Sequence, residues 1–199
     1  MAEFGLTGGI GSGKSSVSER LVRKGAGLVD ADATVKQLQR PGESVFEAMV
    51  EHFGNEIVGP DGEFDRPAIA AIVFNDEAQL KALNGIVHPA VRDSMKEQRE
   101  KLAESHEVVI LDIPLLFEGK RAYDDLAGVI VVDLPVDLAV ARLVAHRGFT
   151  EEDARSRIAS QVTREVRVEK ADFVVDNSGG LEDLDLEVDR CWNWISDRL

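Results

Sequence analysis

The sequence has little cysteine and no long apolar run. Cys191 is the only cysteine, so an intrachain disulfide is excluded and no cysteine cluster suggests a zinc site. No apolar stretch is long enough to span a bilayer, and Glu3 stands where a secretory signal peptide would carry basic residues. We therefore expect a protein of the reducing cytoplasm, with Cys191 as a buried core thiol.

Basic residues are also in the minority. Lys and Arg number 23 against 37 Asp and Glu, which gives a formal net charge of -14 over 199 residues. A balance this acidic argues against broad binding of nucleic acid or of an anionic membrane, since both require a basic face. We expect a monomer without nucleic-acid or membrane partners, in which local cations and backbone N–H groups hold any anionic ligand.

A glycine-rich loop near the N-terminus is the most informative feature that is present. Residues 8–15 read GGIGSGKS and match G-x-x-x-x-G-K-[ST] between the apolar run Phe4–Leu6 and a helical pattern. Glycines let consecutive N–H groups turn inward around a phosphate, and the helix that begins near Lys14 adds its positive dipole end. Lys14 can reach the β- and γ-phosphates, and the Ser15 hydroxyl can ligate Mg²⁺. The loop predicts that the protein binds a nucleoside triphosphate.

Two acidic residues follow the second predicted strand, which is the short run Leu28-Val29. They are Asp30 and Asp32. Ligands of open α/β sheets bind outside the carboxyl ends of the strands, so these acids should face the phosphate loop. From position alone, one of them is either the general base for an acceptor hydroxyl or the N-cap of the next helix.

Residues 33–105 differ from the rest in showing mainly helical periodicity. The apolar positions that recur at helical spacing are Phe46, Met49, Val50, Phe53, Leu80, Leu83, Val87 and Val91. We interpret the phenylalanines and Met49 as packing core. Gly59–Gly62 marks a turn, and His88-Pro89 predicts a helix boundary or kink. His88 could aim its ring into a cleft or satisfy a nearby carbonyl. An insertion of this size could hold the second substrate.

The rest of the sequence continues the alternating pattern. It contains two further buried strands, a basic hairpin, a last strand and a last helix. Val108–Ile113 and Val129–Asp133 are near-continuous apolar runs, and Asp112 resembles the acid that steadies Mg²⁺ in phosphate-loop enzymes. Arginines outnumber acids from 142 to 170, where a break at Gly148 separates two predicted helices, the second capped by Thr150. Such a hairpin is typical of a lid that excludes water and neutralises phosphate charge, although several of its arginines would form only surface ion pairs.

Strands that alternate with helices predict an α/β fold, namely a phosphate-loop kinase with a central parallel sheet, a helical acceptor-binding insertion and a helical lid. We assign residues 1–199 to one domain. Its core comprises residues 1–32, 106–141 and 171–199, its acceptor lobe residues 33–105, and its lid residues 142–170. A GTP switch would need N-K-x-D and an ABC-type ATPase L-S-G-G-Q, and the sequence has neither. Another small-molecule kinase, or a non-catalytic nucleotide-binding switch, remains an alternative.

The sequence resembles the dephospho-coenzyme A kinase family along nearly its whole length. The matching segments are residues 5–15, Asp30-Ala31-Asp32, Pro41-Gly42, Asn84 to Pro89, Ile113 to Glu118, Arg142-Leu143, Arg157-Ile158, Gln161, Ala171-Asp172 and Asn177. The resemblance implies transfer of the γ-phosphoryl group of Mg-ATP to the ribose 3′-hydroxyl of dephospho-coenzyme A, which yields coenzyme A and ADP in the last step of coenzyme A synthesis.

The resemblance also implies roles for individual residues. It makes Asp32 the general base and Lys14 and Arg142 the charge stabilisers. The remaining implied sites are ATP binding by Gly11, Ser12, Gly13, Lys14, Ser15 and Ser16, acceptor binding by Thr7, Asp32, His88 and Leu115, and Mg²⁺ binding by Ser15. The chain departs from the family pattern at Lys36, where arginine is usual, and in its second lid arginine, which falls at Arg147 and is shifted by one position.

Overall fold

The computed structural model of the protein describes residues 1–74, 76–118 and 125–199. Position 75 of the predicted acceptor lobe and positions 119–124 of the predicted core lie outside the described residues. The structure divides into two compact units, one of residues 1–30 with 101–199 and one of residues 31–100. We call them the sheet unit and the helical unit.

The sheet unit contains a five-stranded sheet in the order β2-β3-β1-β4-β5, in which every pair of neighbours is parallel. The strands are β1 (Ala2–Gly8), β2 (Gly27–Asp30), β3 (Val108–Asp112), β4 (Gly128–Asp133) and β5 (Phe173–Asp176). The helices that lie wholly in this unit are α1 (Lys14–Arg23), α6 (Val136–Arg147), α7 (Glu151–Ala159), α8 (Arg164–Glu169) and α9 (Leu181–Ser196). This confirms the predicted parallel α/β fold.

One apolar core holds the sheet unit together. Phe4 and Leu6 of β1 pack in a buried cluster with side chains of α1, β3, β4, β5 and α9, including Leu21 and Ile195. Each fully buried aliphatic side chain contributes about 1.5–3 kcal/mol. The strands read as continuous apolar runs because both faces of a parallel sheet are covered.

Cys191 is buried in this core, as the sequence predicts. Burial raises the pKa of its thiol to about 12, so at pH 8 almost none of it is the reactive thiolate. We expect the native protein to react with a thiol reagent such as dithionitrobenzoate far more slowly than a free cysteine. Complete reaction should follow in denaturant, whereas rapid titration of one thiol in the native protein would contradict this burial.

The helical unit is built around a second cluster, which consists of Val45, Met49, Phe53 and Ile57. Its elements are α2 (Ala31–Leu38), α3 (Ser44–Phe53), a 3₁₀ turn (Asn55–Ile57), α4 (Arg66–Val73) and most of α5 (Glu77–Ala103). Gly62 donates its N–H to the carbonyl of Gly59 at 3.0 Å, which confirms the turn predicted there. Within the described residues, no helix is both long and apolar enough to cross a membrane.

Of the helix boundary or kink predicted at His88-Pro89, the boundary is wrong, because the 27-residue helix α5 runs continuously through Pro89, and the kink stays a prediction. A proline inside a helix removes one hydrogen bond and costs about 3 kcal/mol. On either side of it, Leu83, Val87 and Ala90 pack against the apolar cluster of the helical unit. That packing on both sides of the proline offsets the lost bond and keeps the helix intact.

Candidate active site

The phosphate loop spans residues 9–13, between β1 and α1. Gly11 and Gly13 have φ angles of 80° and 85°, in the left-handed region that residues with a Cβ rarely adopt. A Cβ on Gly13 would lie 2.2 Å from the amide nitrogen of Asn177. In the described chain no side chain caps the first turn of α1, and no acidic residue lies in that turn. The helix N-terminus therefore keeps its positive dipole for an anion, although the Ser16 N–H already donates to the carbonyl of Gly13.

Lys14 forms an ion pair with Asp112 at the end of β3. The register of the sheet explains this contact, because β3 lies beside β1 and Asp112 is opposite Leu6. Asp30 at the end of β2 is in turn opposite Asp112. Asp112 is buried, whereas Lys14 keeps some exposure, so its ammonium group is held at the loop before a nucleotide binds.

Arg142 of α6 lies beside the loop, as the lid hypothesis requires. Its Nη2 donates to the carbonyl of Asn177 at 2.8 Å, and Asn177 donates its side-chain amide to the carbonyl of Ser12 at 2.6 Å. A Cβ on Gly13 would lie 3.6 Å from Arg142 Nη1. Asn177, which the sequence indicated only as a motif position and part of a turn, thus joins Arg142 to the phosphate loop.

The hairpin predicted over residues 142–170 contains three helices instead of two. Gly148 ends α6 with a φ of 68°, and Thr150 accepts the N–H of Asp153 at the start of α7, both as expected. The additional helix, α8, begins after Thr163, whose hydroxyl accepts the N–H of Val166. The cap of α8 is a lone threonine with no acid or glutamine three residues later, so the sequence gives only a weak signal for it.

Two residues of this region contact the beginning of the loop. Gln161 accepts the N–H of Ile10 at 2.9 Å, and the guanidinium of Arg167 lies against Gly9. The sequence predicts the second lid arginine at Arg147, which is exposed at the end of α6, and marks Arg167 only as one of several basic residues. No local pattern singles out Arg167 among the arginines of this stretch.

The residues expected to bind the acceptor belong to both units. Thr7, in the sheet unit, is buried and donates its hydroxyl to the carbonyl of Pro114 at 3.1 Å, while Leu115 is 52% exposed. In the helical unit, Asp32 is exposed in the first turn of α2, and His88 is exposed on α5. Because α2 begins at Ala31, Asp32 lies inside the helix and is not its N-cap.

The donor groups beside the loop fit a magnesium ion that arrives with a triphosphate. Ser15 presents a hydroxyl on the exposed side of α1, and Asp112 supplies a carboxylate at the end of β3. In the described part of the chain no group of three or more His, Cys, Asp or Glu residues could hold a metal ion. Mg²⁺ commonly takes only one or two protein ligands and completes its shell with water and phosphate oxygens.

A family model and a known relative that match this chain carry the same description. The family model described as dephospho-CoA kinase matches residues 3–183. A dephospho-CoA kinase of Thermobifida fusca is 44% identical over 199 residues, which cover 100% of this chain and 98% of the relative.

Solved structures agree with this similarity. A crystal structure from Thermus thermophilus superposes with a TM-score of 0.82 at 35% identity, covering 100% of this chain and 97% of the other. A dephospho-CoA kinase from Campylobacter jejuni gives a TM-score of 0.70 at 28% identity, with 98% and 97% covered.

Proposed function

This chain belongs to the dephospho-coenzyme A kinase family, and we propose that it phosphorylates the ribose 3′-hydroxyl of dephospho-coenzyme A. It is an ATP-dependent phosphotransferase, and its products are coenzyme A and ADP. The observation that carries this proposal is the convergence of Lys14 and Arg142 on a glycine-rich loop, in a chain that matches the family over residues 3–183. The reaction is the last step of coenzyme A synthesis.

The donor side of the reaction is formed by the sheet unit. Residues 11–16 and the dipole of α1 hold the phosphates, and Lys14 and Arg142 neutralise the charge on the group in transfer. Phosphoryl transfer requires little covalent chemistry from the protein, so positioning and charge neutralisation supply most of the rate enhancement.

Asp32 is the proposed general base. It accepts the proton of the acceptor hydroxyl as the oxygen attacks the γ-phosphorus. Asp32 lies two residues beyond the end of β2, the strand whose last residue is opposite Asp112. Carboxyl ends of neighbouring parallel strands are where ligands of open α/β sheets bind, which supports a base at this position.

The acceptor lobe is the proposed role of the helical unit, with His88 as one of its acceptor-binding residues. In the sheet unit, the proposed acceptor-binding residues are Thr7 and Leu115, the latter in the loop after β3. The Thr7 hydroxyl fixes Pro114, and the fixed proline leaves the neighbouring Leu115 exposed for contact with the acceptor. On this basis Thr7 acts by positioning the loop, while Leu115 supplies apolar surface.

Mg²⁺ is the proposed cofactor, with Ser15 as its protein ligand and the Asp112 carboxylate nearby. When bound, the ion supplies charge neutralisation on the β- and γ-phosphates. We expect EDTA in excess of Mg²⁺ to abolish turnover and added Mg²⁺ to restore it. Ser15→Ala should raise the Mg²⁺ concentration needed for half-maximal turnover. Full turnover in EDTA would contradict a metal requirement.

We propose further that the protein acts as a monomer in the cytoplasm. Its net charge of -14 favours mutual repulsion over non-specific association, and its one cysteine is buried and unpaired.

An assay of ADP release tests the proposed function. Mg-ATP is supplied with dephospho-coenzyme A, with shikimate, with gluconate or with nucleosides, and without an acceptor. We expect release only with dephospho-coenzyme A. Release with another acceptor would favour a different small-molecule kinase, and nucleotide binding without release would favour a non-catalytic switch.

A further inference from the structure

Arg167 lies against the phosphate loop without a carboxylate partner. A Cβ built on Gly9 would lie 2.7 Å from its Nη2 and 3.2 Å from its Cζ, so the guanidinium covers the backbone of Gly9. Its Nη1 donates to the carbonyl of Val162. Across residues 1–74, 76–118 and 125–199, Arg167 forms no ion pair. Its charge therefore lies at the loop with no carboxylate in ion-pair contact among the described residues, and Glu118, Asp133 and Glu165 act on it only from farther away.

Arg164, one turn earlier on α8, provides a direct contrast. Its guanidinium forms a fork with Asp133 at the end of β4, with Nε 2.8 Å from Oδ1 and Nη2 2.6 Å from Oδ2. These hydrogen bonds raise the pKa of Arg164, whereas burial lowers the pKa of Arg167. Asp133 thus neutralises Arg164 and anchors the helix, while Arg167 is partly desolvated and forms no ion pair among the described residues. A desolvated charge of this kind is stabilised when an anion binds beside it.

The cavity next to Arg167 is lined by a second polar side chain whose hydrogen-bonding capacity is unused. Its polar lining includes Ser12, Asp133, Gln161 and Arg167. The Ser12 hydroxyl is buried and, among the described residues, has no hydrogen-bond partner. A buried hydroxyl without a partner costs about 1–3 kcal/mol, so a site that leaves one open favours a ligand that can accept its hydrogen. Ser12 and Arg167 thus both present unused hydrogen-bond donors to the same cavity.

We propose that Arg167 binds the triphosphate of ATP directly and serves as the second guanidinium of the lid. The sequence pattern placed that role at Arg147, which is exposed at the end of α6. A guanidinium suits the position because it is weakly hydrated, tolerates partial burial and can bind two phosphate oxygens at once. The assignment rests on the proposed function, since it adds a residue to the donor side of the same site.

The test measures the Kd of Mg-ATP by calorimetry in the absence of an acceptor. We expect Arg167→Gln to raise the Kd about 10- to 100-fold, as for loss of a charge-assisted hydrogen bond. Arg147→Gln should change it less than about threefold. Arg155→Gln is the neutral control, because Arg155 forms exposed ion pairs with Glu151 and Asp137. A Kd for Arg167→Gln within twofold of the wild type would overturn the proposal, as would a larger effect from Arg147→Gln.

Arg167→Lys separates ligand binding from a structural role. Lysine keeps the positive charge but lacks the planar guanidinium that can bind two oxygens at once. The Kd of Mg-ATP for this variant should therefore fall between those of the wild type and Arg167→Gln, with an unchanged melting temperature. In turnover, kcat/KM for ATP should fall while the KM for dephospho-coenzyme A stays within about twofold. If Arg167→Gln lowers the melting temperature, the Kd of Mg-ATP for Arg167→Lys decides between ligand binding and a structural role. A wild-type Kd in that variant would overturn the proposal.

The two hypotheses fail separately. If the wild type binds ATP but does not phosphorylate dephospho-coenzyme A, the proposed function fails, while the effect of Arg167 on ATP binding can still be measured. If the wild type is an active kinase and Arg167→Gln binds ATP normally, only the assignment of Arg167 fails.

Discussion

Replacing Asp32 with asparagine is expected to lower kcat by about 10²- to 10⁴-fold, the range for loss of a positioned general base. Asparagine keeps the size and hydrogen-bonding reach of the side chain but cannot take up the proton of the acceptor hydroxyl. The Kd of Mg-ATP should change little, because the donor-binding groups belong to the sheet unit. The measurement is a steady-state assay paired with calorimetry of ATP binding.

Two aspartates serve as controls for Asp32. Asp30→Asn tests the other acid of the motif, and we expect it to retain far more activity than Asp32→Asn. Asp93→Asn alters an exposed position of α5 and should behave as the wild type. Normal turnover in Asp32→Asn would remove Asp32 from the mechanism. A greater loss of activity in Asp30→Asn would show that Asp30, not Asp32, is the base.

Lys14→Met is expected to impair both ATP binding and turnover. Removing one preorganised positive group from a developing charge lowers kcat by about 10²- to 10³-fold, and the ground-state contact with the phosphates is lost as well. kcat/KM for ATP should therefore fall further than kcat. Steady-state kinetics over a range of ATP concentrations, with the Kd from calorimetry, would resolve the two effects.

Lys24→Met is the matched control for Lys14. Lys24 follows the last residue of α1, at the opposite end of that helix from the loop, and pairs with Asp189 at the surface. The control should keep wild-type kinetics. Lys14→Met must also be compared with the wild type by melting temperature, because it removes the ion pair with the buried Asp112. A folded Lys14→Met protein with a normal Kd and kcat would exclude Lys14 from the phosphate site.

The phosphate loop could be predicted from sequence because its chemistry is local. The glycines, Lys14 and Ser15 lie within eight consecutive residues, and the strand before them and the helix after them are also continuous in sequence. The two left-handed glycines confirm the expected loop geometry. Arg142 was identified by resemblance, and the structure brings it beside Gly13.

The contact of Lys14 with Asp112 could not be predicted from local pattern, because it depends on strand order. The strand that follows β1 in sequence is β2, but the strands that lie beside β1 in the sheet are β3 and β4. Periodicity identifies a buried strand without giving its neighbours. Only that order places Asp112 beside Leu6, and hence next to the base of the loop.

The role of α8 was missed for a similar reason. Arg164 and Arg167 are close in sequence and both lie in a basic stretch, so composition cannot distinguish them. The difference arises from tertiary contacts, since Arg164 meets Asp133 of β4 and Arg167 meets Gly9. At Pro89, where a helix boundary or a kink was expected, tertiary packing overrides the local tendency to end the helix.

The central claim is tested most directly by identifying the product formed from dephospho-coenzyme A and Mg-ATP. Mass spectrometry would count the added phosphoryl groups, and phosphorus NMR would locate them. We predict one added group, on the ribose 3′-oxygen, in equimolar yield with ADP. Recovery of unchanged dephospho-coenzyme A, or a phosphoryl group at another oxygen, would contradict the account.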